Sequence, residues 1–265
     1  MTVRLLAAVL VAAGLLGAQD GEREPAAPDA PEGMALIPAG EFTMGRTRTT
    51  PDDERGMRPL ILRDDRPPHT VRLDAFYLGR TETTHADYAK FVAATGHPTP
   101  YHWTDGEMPT EMAKHPIYNV DWEDATAYCE WSGKRLPTEA EWERAARGGL
   151  DGKDYPWGDQ AAKPEHARFS TPEGPGPVAL YDPNAFGLYD MAGGVSEWCS
   201  DWFARTYYEV SPPENPQGPA EGLYKMIRGG AWSDGPKRLT VFFRNWVRPN
   251  QRTPNLGFRC AKDSK

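Results

Sequence analysis

Glycine and proline recur at short intervals along the whole sequence, and this limits the length of its helices and strands more than any other feature. The chain has 265 residues, of which 26 are glycine and 26 are proline. Proline removes a backbone donor and glycine leaves the backbone conformationally free, so both interrupt regular structure. Nine tryptophans and eleven tyrosines still supply bulky side chains for a core. The sequence therefore predicts a globular, loop-rich domain with short regular elements.

The charge and hydropathy of the chain exclude two broad classes of protein. Its mean hydropathy of −0.67 is far too polar for a protein that crosses a membrane many times. Its 38 acidic residues outnumber its 30 lysines and arginines, which gives a formal charge of −8. Binding to nucleic acid depends on a basic face that releases counterions from phosphates. We therefore expect no nucleic-acid partner.

The first eighteen residues have the pattern of a secretory signal peptide. Arg4 precedes an uncharged and mostly apolar run from Leu5 to Gly17, which is followed by Ala18. This run is shorter than the roughly 20 residues that span a bilayer. We expect cleavage near Ala18, export to the periplasm or the extracellular space, and no stable membrane insertion afterwards. The alternative is that the segment is retained as an uncleaved anchor.

Composition divides the rest of the chain into a tether and one domain. Residues 19–33 are rich in proline, alanine and acidic residues, and they contain no large apolar side chain that could join a core. From Met34 the composition is mixed to the end, so we assign residues 34–265 to a single domain. The charged stretch at 46–66 is predicted to be an exposed loop.

Local patterns predict three helices and four short strands. Apolar residues recur at helical spacing before glycine stops in 85–96, 121–133 and 138–149. Asp121 is the predicted cap of the second helix, and Thr138 with Glu141 forms a capping-box pattern ahead of the third. The strand candidates lie at 35–38, 70–76, 225–228 and 257–261.

A search for catalytic motifs gives mainly negative results. The sequence contains no H-E-x-x-H, G-x-S-x-G, P-loop or C-x-x-C pattern. The six histidines form no close pair along the sequence, and we interpret them as surface or hydrogen-bonding residues rather than metal ligands: His69, His85, His97, His102, His115 and His166. A catalytic triad assembled from residues distant in the sequence is compatible with these absences, because triads are defined by geometry.

Six ordered blocks of sequence resemble the formylglycine-generating enzyme (sulfatase-modifying factor) family. The blocks are MALIPAGEFTMG at 34–45, PPHTVRLDAFYLGRTETT at 67–84, YNVDWEDATAYCEWSGKRLPTEAEWERAARGG at 118–149, YPWGD at 155–159, NAFGLYDMAGGVSEWCSDW at 184–202, and RGGAW at 228–232 with NLGFRC at 255–260. The resemblance implies an α+β fold of the formylglycine-generating enzyme type. This fold is a complex variant of the C-type-lectin-like fold with little regular secondary structure, which agrees with the glycine and proline content.

The best-known activity of the family needs two residues that this chain lacks. Family members with that activity oxidise a sulfatase cysteine to formylglycine with dioxygen, using copper(I) held by two cysteines, because thiolates suit this soft ion. Counting from the RGGAW block places Asp234 and Leu239 at the two cysteine positions. We therefore expect no copper cofactor and no copper-dependent formylglycine generation.

The chain has three cysteines, an odd number for an exported protein. By family resemblance, Cys129 and Cys260 form a structural disulfide, which export would permit. Cys199 is left over, and we interpret it as a buried, inert residue, with a reactive thiol as the alternative.

The segment DMAGGVSE contains a candidate calcium site. Asp190 and Glu197 carry carboxylates on either side of a Gly-Gly turn, and the carbonyl groups of Gly193 and Val195 can point inward between them. Carboxylate and carbonyl oxygens are the ligands that calcium prefers. The resemblance assigns these four positions to a structural calcium ion. In the alternative, Asp190 and Glu197 only cap a loop.

Two functions from different classes are compatible with these observations. In the first, which we favour, the protein is an exported, non-copper binding or accessory module whose groove holds a peptide, a glycan or a small molecule. The groove is expected to be lined by Trp232, Ser233, Asp234, Arg244 and Asn255. In the second, it is an enzyme of the same fold that carries out formylglycine-generating or other oxidative maturation chemistry with a cysteine-independent active site, where Asp234 acts as an acid, a base or a metal ligand. Asp234 is otherwise a turn residue of the W-S-D-G-P sequence.

Overall fold

The computed structural model of the chain describes residues 30–49 and 64–264. These residues form three α-helices: α1 His85–Thr95, α2 Trp122–Trp131 and α3 Glu139–Arg147. They also form nine strands: β1 Met34–Ile37, β2 Gly40–Met44, β3 His69–Leu73, β4 Phe76–Gly79, β5 Ser196–Trp202, β6 Lys225–Arg228, β7 Asn245–Val247, β8 Leu256–Gly257 and β9 Ala261–Asp263. The predicted signal peptide and most of the predicted tether lie outside the described residues. Within them, no helix is long and apolar enough to cross a membrane.

The strands form three small sheets. β1, β4 and β9 form one sheet in the order β1-β4-β9, and β2 pairs with β3 in a second. The third sheet has the order β7-β6-β5-β8, in which β5 and β8 are parallel and the other pairs are antiparallel. Short mixed sheets, three helices and long connections make this a loop-rich α+β fold, as the sequence predicts.

All three predicted helices are present, with the predicted ends. Thr84 caps α1 and Gly96 ends it in the left-handed conformation. Asp121 caps α2 through a capping box with Asp124. The predicted capping box of α3 is confirmed as well, because the Thr138 hydroxyl accepts from the Glu141 backbone N–H, while the Glu141 carboxylate accepts from the Thr138 N–H. Side chains within three residues of each end therefore fix the helix starts.

The strand predictions are only partly confirmed. The segment 225–228 coincides with β6, and 35–38 overlaps β1. The predicted strand at 70–76 is two strands, because β3 pairs with β2 whereas β4 pairs with β1 and β9 in another sheet. The predicted strand at 257–261 likewise divides between β8 and β9. β2, β5 and β7 were missed.

The prediction of an exposed loop at 46–66 holds for residues 47–49 and is wrong for three other described residues, while residues 50–63 lie outside the described part. Arg46, Asp64 and Asp65 are all buried. Arg46 donates from Nε to the Asp65 carboxylate at 3.1 Å, and its backbone N–H donates to the Asp65 carbonyl. Arg46 and Asp65 can therefore be buried because they form an ion pair with each other.

Helix α3 is buried along its whole length, including its charged residues. Glu143 pairs with Arg147 at 2.6 Å and with Arg228 of β6 at 2.5 Å, and all three side chains are at most 1% exposed. Burial of unpaired charges is costly, so these carboxylates and guanidinium groups must enter the core together. The helix is thereby fixed against the third sheet.

The predicted disulfide is present and joins α2 to the C-terminal segment. Cys129 and Cys260 are bonded across 131 residues of sequence. Cys199 of β5 is free and buried, and burial raises the pKa of its thiol well above the ordinary value. A thiol held in its neutral form is a poor nucleophile and metal ligand.

Candidate functional site

The double glycine that follows β6 brings two parts of the predicted groove together. Gly229 and Gly230 both have positive φ angles, and a Cβ atom on Gly230 would lie 2.7 Å from the Arg238 carbonyl oxygen. Only glycine permits this close approach of the two backbone segments. As a result, Trp232 and Asp234 are held against the short turn Pro236–Leu239.

Four of the five predicted groove residues form one surface, which we call the 232–255 patch: Trp232, Ser233, Asp234 and Asn255. The Trp232 indole N–H donates to the Pro254 carbonyl at 3.3 Å, and the Asn255 amide donates to the Ser233 hydroxyl at 3.2 Å. Ser233 is exposed, and the other three are partly buried. The patch therefore has an indole ring, a hydroxyl and an amide within reach of solvent.

Arg244 does not line this patch, contrary to the prediction from the sequence. Its side chain is fully buried and donates to both Glu139 oxygens, at 2.7 and 2.9 Å. A third donor contacts the Asp64 carbonyl at 2.8 Å. A buried guanidinium needs a carboxylate partner, and α3 supplies one at its first residue.

The Asp234 carboxylate is held within its own turn. One oxygen accepts from the Ala231 backbone N–H at 3.0 Å, and the other accepts from the Arg238 guanidinium at 3.1 Å. The carboxylate therefore closes the turn after the double glycine, which is the turn-residue role considered from the sequence.

The second position at which the resemblance implies a copper-binding cysteine is apolar. Leu239 is 1% exposed and packs in a small cluster with Ala167 and Ala192. Both positions are therefore filled by side chains that carry no sulfur and that have packing or hydrogen-bonding roles of their own.

The two carboxylates of the predicted calcium site lie on either side of the Gly193–Gly194 turn. A Cβ on Gly193 would lie 2.4 Å from the Arg168 carbonyl oxygen, so glycine is required there. The Glu197 carboxylate accepts from Arg259 at 2.7 Å through each of its oxygens, and from the Trp142 indole at 2.8 Å. Asp190 accepts from the Ala179 backbone N–H at 2.6 Å.

Glu82, which the sequence analysis did not single out, adds a third carboxylate at this turn. Its Oε1 lies 2.8 Å from the position of a Cβ on Gly194, and its Oε2 is buried with no hydrogen-bond partner among the described residues. Burial, and next the Asp190 carboxylate, raise the pKa of Glu82 well above its ordinary value. Three carboxyl groups therefore lie near one guanidinium, that of Arg259.

No three histidine, cysteine, aspartate or glutamate side chains of the described chain surround a common position suited to a metal ion. A calcium ion at the Gly-Gly turn would therefore need backbone carbonyl ligands in addition to carboxylates, as the proposed set of Asp190, Gly193, Val195 and Glu197 has.

The fold also brings together two histidines that are 17 residues apart in the sequence. The Nε2 atoms of His85 and His102 are 3.0 Å apart, and the two rings are nearly perpendicular. His85 is fully buried in α1, whereas His102 lies in a loop and is partly exposed. Burial lowers the pKa of each imidazole to about 4, so both are neutral at pH 7. Sequence spacing carries no signal of this pair.

Hydrogen-bond partners assign the tautomers of both rings. His85 Nδ1 lies 3.2 Å from the His115 carbonyl, which can only accept, so Nδ1 carries the hydrogen and Nε2 has a lone pair. His102 Nε2 therefore donates to His85, and its Nδ1 accepts from the Asn119 amide at 3.2 Å. The Tyr101 hydroxyl completes the chain by donating to the Asn119 carbonyl oxygen at 2.7 Å.

A single loop connects this histidine pair with the 232–255 patch. Thr253 accepts from the Asn119 backbone N–H, and Thr253 also donates through its hydroxyl to Asn255. Beside the loop, Tyr101 is 69% exposed although its hydroxyl is hydrogen-bonded to Asn119. The Tyr101 and Trp232 side chains are thus each fixed by one hydrogen bond, Tyr101 to Asn119 and Trp232 to Pro254.

Comparison with known proteins gives a consistent result. Residues 19–264 match the sulfatase-modifying factor enzyme 1-like domain. The chain is 37% identical to a formylglycine-generating enzyme of Streptomyces coelicolor over 92% of its own length and 93% of that protein.

Two solved structures share the fold over 87% of this chain and 94% of theirs. One is PvdO from Pseudomonas aeruginosa, with a TM-score of 0.72 and 29% identity. The other is Treponema denticola variable protein 1, with a TM-score of 0.70 and 28% identity. The architecture, the Gly-Gly turns and these matches together place the chain in the formylglycine-generating enzyme (sulfatase-modifying factor) family.

Proposed function

We propose that the protein is a non-copper member of its family that acts as a binding or accessory module. The proposal rests on the roles of the residues that occupy the two positions at which the resemblance implies copper-binding cysteines. Asp234 closes a turn through Ala231 and Arg238, and Leu239 is buried among apolar side chains. Neither offers the soft ligand that copper(I) requires.

The surface between Trp232 and Tyr101 is the proposed binding site, for a peptide, a glycan or a small molecule. Rigid aromatic rings provide contact area at a low cost in conformational entropy. Tyr101 and Trp232 are both fixed by hydrogen bonds before any ligand arrives. The Ser233 hydroxyl and the Asn255 amide lie on the same surface and can pair with polar groups of a ligand.

The test is a screen of the full chain against a glycan array and a library of extended peptides, followed by titration of any ligand found. Replacing Tyr101 or Trp232 with alanine should weaken binding at least tenfold. Trp131→Ala is the matched control, because Trp131 is also exposed, at 44%, but lies at the end of α2. Equal binding by all three variants would place the ligand elsewhere.

A cysteine-independent enzyme is the competing proposal, and the similarity to a formylglycine-generating enzyme favours it. Catalysis by Asp234 would require its carboxylate to leave Arg238, to which it is bonded at 3.1 Å. Mass spectrometry of a C-x-P-x-R peptide incubated with the protein, copper and oxygen tests the formylglycine-generating form of this alternative. Formation of the aldehyde would overturn the non-copper function.

We also propose that one calcium ion supports the fold at the Gly-Gly turn. The residues that would hold it are Asp190 and Glu197, with the carbonyl groups of Gly193 and Val195. Glu82 brings a third carboxyl group to the same turn, with its Oε2 3.7 Å from the Arg259 guanidinium.

Asp190→Asn is the sharper test of calcium binding, because Glu197→Gln would also disrupt the buried pair with Arg259. Asp190 has a φ of 54°, which asparagine tolerates, and the amide oxygen can still accept from Ala179. Stabilisation by calcium follows RT ln(1 + [L]/Kd), about 2.7 kcal/mol at a hundredfold excess over Kd. The melting temperature of the wild type should rise with calcium, and that of Asp190→Asn should respond less. A wild type indifferent to calcium and chelator would contradict the site.

Export is part of the same proposal. The Cys129–Cys260 disulfide supports it, because disulfides persist mainly in oxidising compartments. Fractionation of the producing cell, with sequencing of the mature N-terminus, should find the protein outside the cytosol and beginning after Ala18. A cytosolic protein that retains Met1 would refute export.

A further inference from the structure

We propose that His85 and His102 form a binding site for a divalent transition-metal ion that prefers imidazole ligands, with Zn²⁺ as the reference ion. This site is separate from the proposed calcium position and independent of the proposed binding function. It rests on the convergence of two ring nitrogens and on the groups that orient each ring.

The spacing of the two nitrogens suits one shared ion after a small adjustment. Zinc binds imidazole nitrogen at about 2.0–2.1 Å, so two ligands at a tetrahedral angle are about 3.4 Å apart. His85 and His102 have their Nε2 atoms 3.0 Å apart, so the pair must open by about 0.4 Å. His102 is in a loop, with its ring stacked parallel to Tyr118 at 4.4 Å between centroids, and sliding along that ring allows such a shift.

His85 already has the tautomer and the support of a metal ligand. Metal-binding histidines usually donate their second ring N–H to a carbonyl or a carboxylate, which fixes the ring and leaves the other nitrogen free. His85 does this through Nδ1 and the His115 carbonyl at 3.2 Å. Its Nε2 lone pair is therefore directed at His102 without any rearrangement.

His102 can reach the same state by a change within its existing hydrogen bonds. Its Nε2 now donates to His85, and it must give up that hydrogen to bind an ion. Rotation of the Asn119 amide would present Oδ1 instead of the NH₂ group to His102 Nδ1. The Tyr101 hydroxyl, which now donates to Asn119, can equally accept from it. Asn119 and Tyr101 can therefore satisfy the hydrogen-bonding requirements of either tautomer of His102.

The chemistry of the pair selects the class of ion. No carboxylate among the described residues hydrogen-bonds to either ring, and two neutral imidazoles suit zinc, copper or nickel rather than calcium or magnesium. His102 is partly exposed, so an ion can reach the pair from the side of His102. The pair supplies two protein ligands, whereas a catalytic zinc site has three and a structural zinc site has four, so water must occupy the remaining positions.

The first experiment is a calorimetric titration of the chelator-treated full chain with Zn²⁺ at pH 7.5, in excess calcium so that the other proposed site is filled. We expect one binding event, and Co²⁺ in place of Zn²⁺ should give a visible absorption band characteristic of imidazole ligands. His102→Gln should weaken Zn²⁺ binding at least tenfold. His166→Gln is the matched control, because His166 stacks on Trp157 away from the pair and should leave the affinity unchanged.

A second variant distinguishes a metal site from a structural hydrogen bond. Asn119→Asp supplies a carboxylate that accepts from His102 Nδ1 and favours the metal-binding tautomer, and Asp tolerates the positive φ of 58° at this position. Zn²⁺ affinity should therefore rise, by up to about tenfold. Absence of Zn²⁺ binding by the folded wild type, or equal binding by His102→Gln, would overturn the proposal, as would weaker binding by Asn119→Asp.

Discussion

At the scale of single residues, the buried Asp201 makes the stability of the fold depend on pH. Asp201 of β5 is 3% exposed and accepts from the Glu139 backbone N–H at 2.8 Å. Burial, and next the Glu139 carboxylate, raise the pKa of Asp201 from 3.8 to about 7. The folded protein therefore holds a proton on Asp201 at a pH where the unfolded chain has released it.

Asp201→Asn should remove this pH dependence. Because the pKa of Asp201 is higher in the folded state, its protonation stabilises the fold fully below pH 3.8. This stabilisation is lost as pH rises through about 7. The free energy of unfolding of the variant, relative to wild type, should therefore increase between pH 4 and pH 8. Urea denaturation across this range measures it, with the exposed Asp105→Asn as control. Parallel curves for wild type and Asp201→Asn would contradict the assignment.

Arg244 is expected to matter for stability and not for binding. Truncating it to alanine would leave Glu139 buried with an unpaired charge on that side, which typically costs about 3–5 kcal/mol. Ser233→Ala, in the 232–255 patch, should change the free energy of unfolding by no more than about 0.5 kcal/mol. Chemical denaturation separates the two outcomes, and a mild effect at Arg244 would restore it as a candidate surface residue.

At the scale of elements, the start of α3 depends on neighbouring residues, whereas its burial depends on residues far away in the sequence. Its capping box depends only on Thr138 and Glu141, three residues apart. Its buried charges depend on Arg228 and Arg244, which come from distant parts of the chain. The position of the helix can therefore be predicted from the sequence, whereas the burial of its charged side chains cannot.

Thr138→Ala should destabilise the protein by about 1 kcal/mol, because the Glu141 backbone N–H would lose its acceptor at the start of the helix. Thr138→Ser keeps the hydroxyl and should retain most of the stability. Urea midpoints of the two variants give the comparison. If serine proves as harmful as alanine, the lost contribution is the threonine methyl group rather than the cap.

The sheets illustrate the limit of local patterns. β5 is buried at most of its seven positions, and it contains Glu197 and Asp201, so no alternation of polar and apolar residues indicates a strand. Glu197 is tolerated because Arg259 pairs with it from the C-terminal segment at 2.7 Å. The pairing that makes β5 the centre of its sheet is invisible in its own sequence.

At the scale of the whole molecule, one covalent link closes the fold. The Cys129–Cys260 disulfide connects α2 with the residue before β9, across most of the domain. Closing a long loop reduces the conformational freedom of the unfolded chain, on a model-dependent account of its effect.

Replacing both bridged cysteines with alanine should lower the free energy of unfolding by roughly 2–5 kcal/mol. A reductant should lower the stability of the wild type to a similar extent and leave the double variant unaffected. Peptide mapping without reduction should show Cys199 as a free thiol. A linkage through Cys199, or a double variant as stable as wild type, would contradict the structural role.

The sequence by itself determined the features that depend on neighbours in the chain. Helix starts at Asp121 and Thr138, the glycine stop at Gly96 and the loop-rich character all follow from interactions within a few residues. The family, the α+β fold and the disulfide pairing followed from motifs that extend over nearly the whole domain.

Only the tertiary structure decided which distant groups meet. It placed Arg244 in the core instead of the groove, added Glu82 to the Gly-Gly turn, and brought His85 within 3.0 Å of His102. The physical reason is common to all three. A buried charge or imidazole is stable only beside a partner, and that partner is supplied by packing between segments far apart in sequence, which no local pattern encodes.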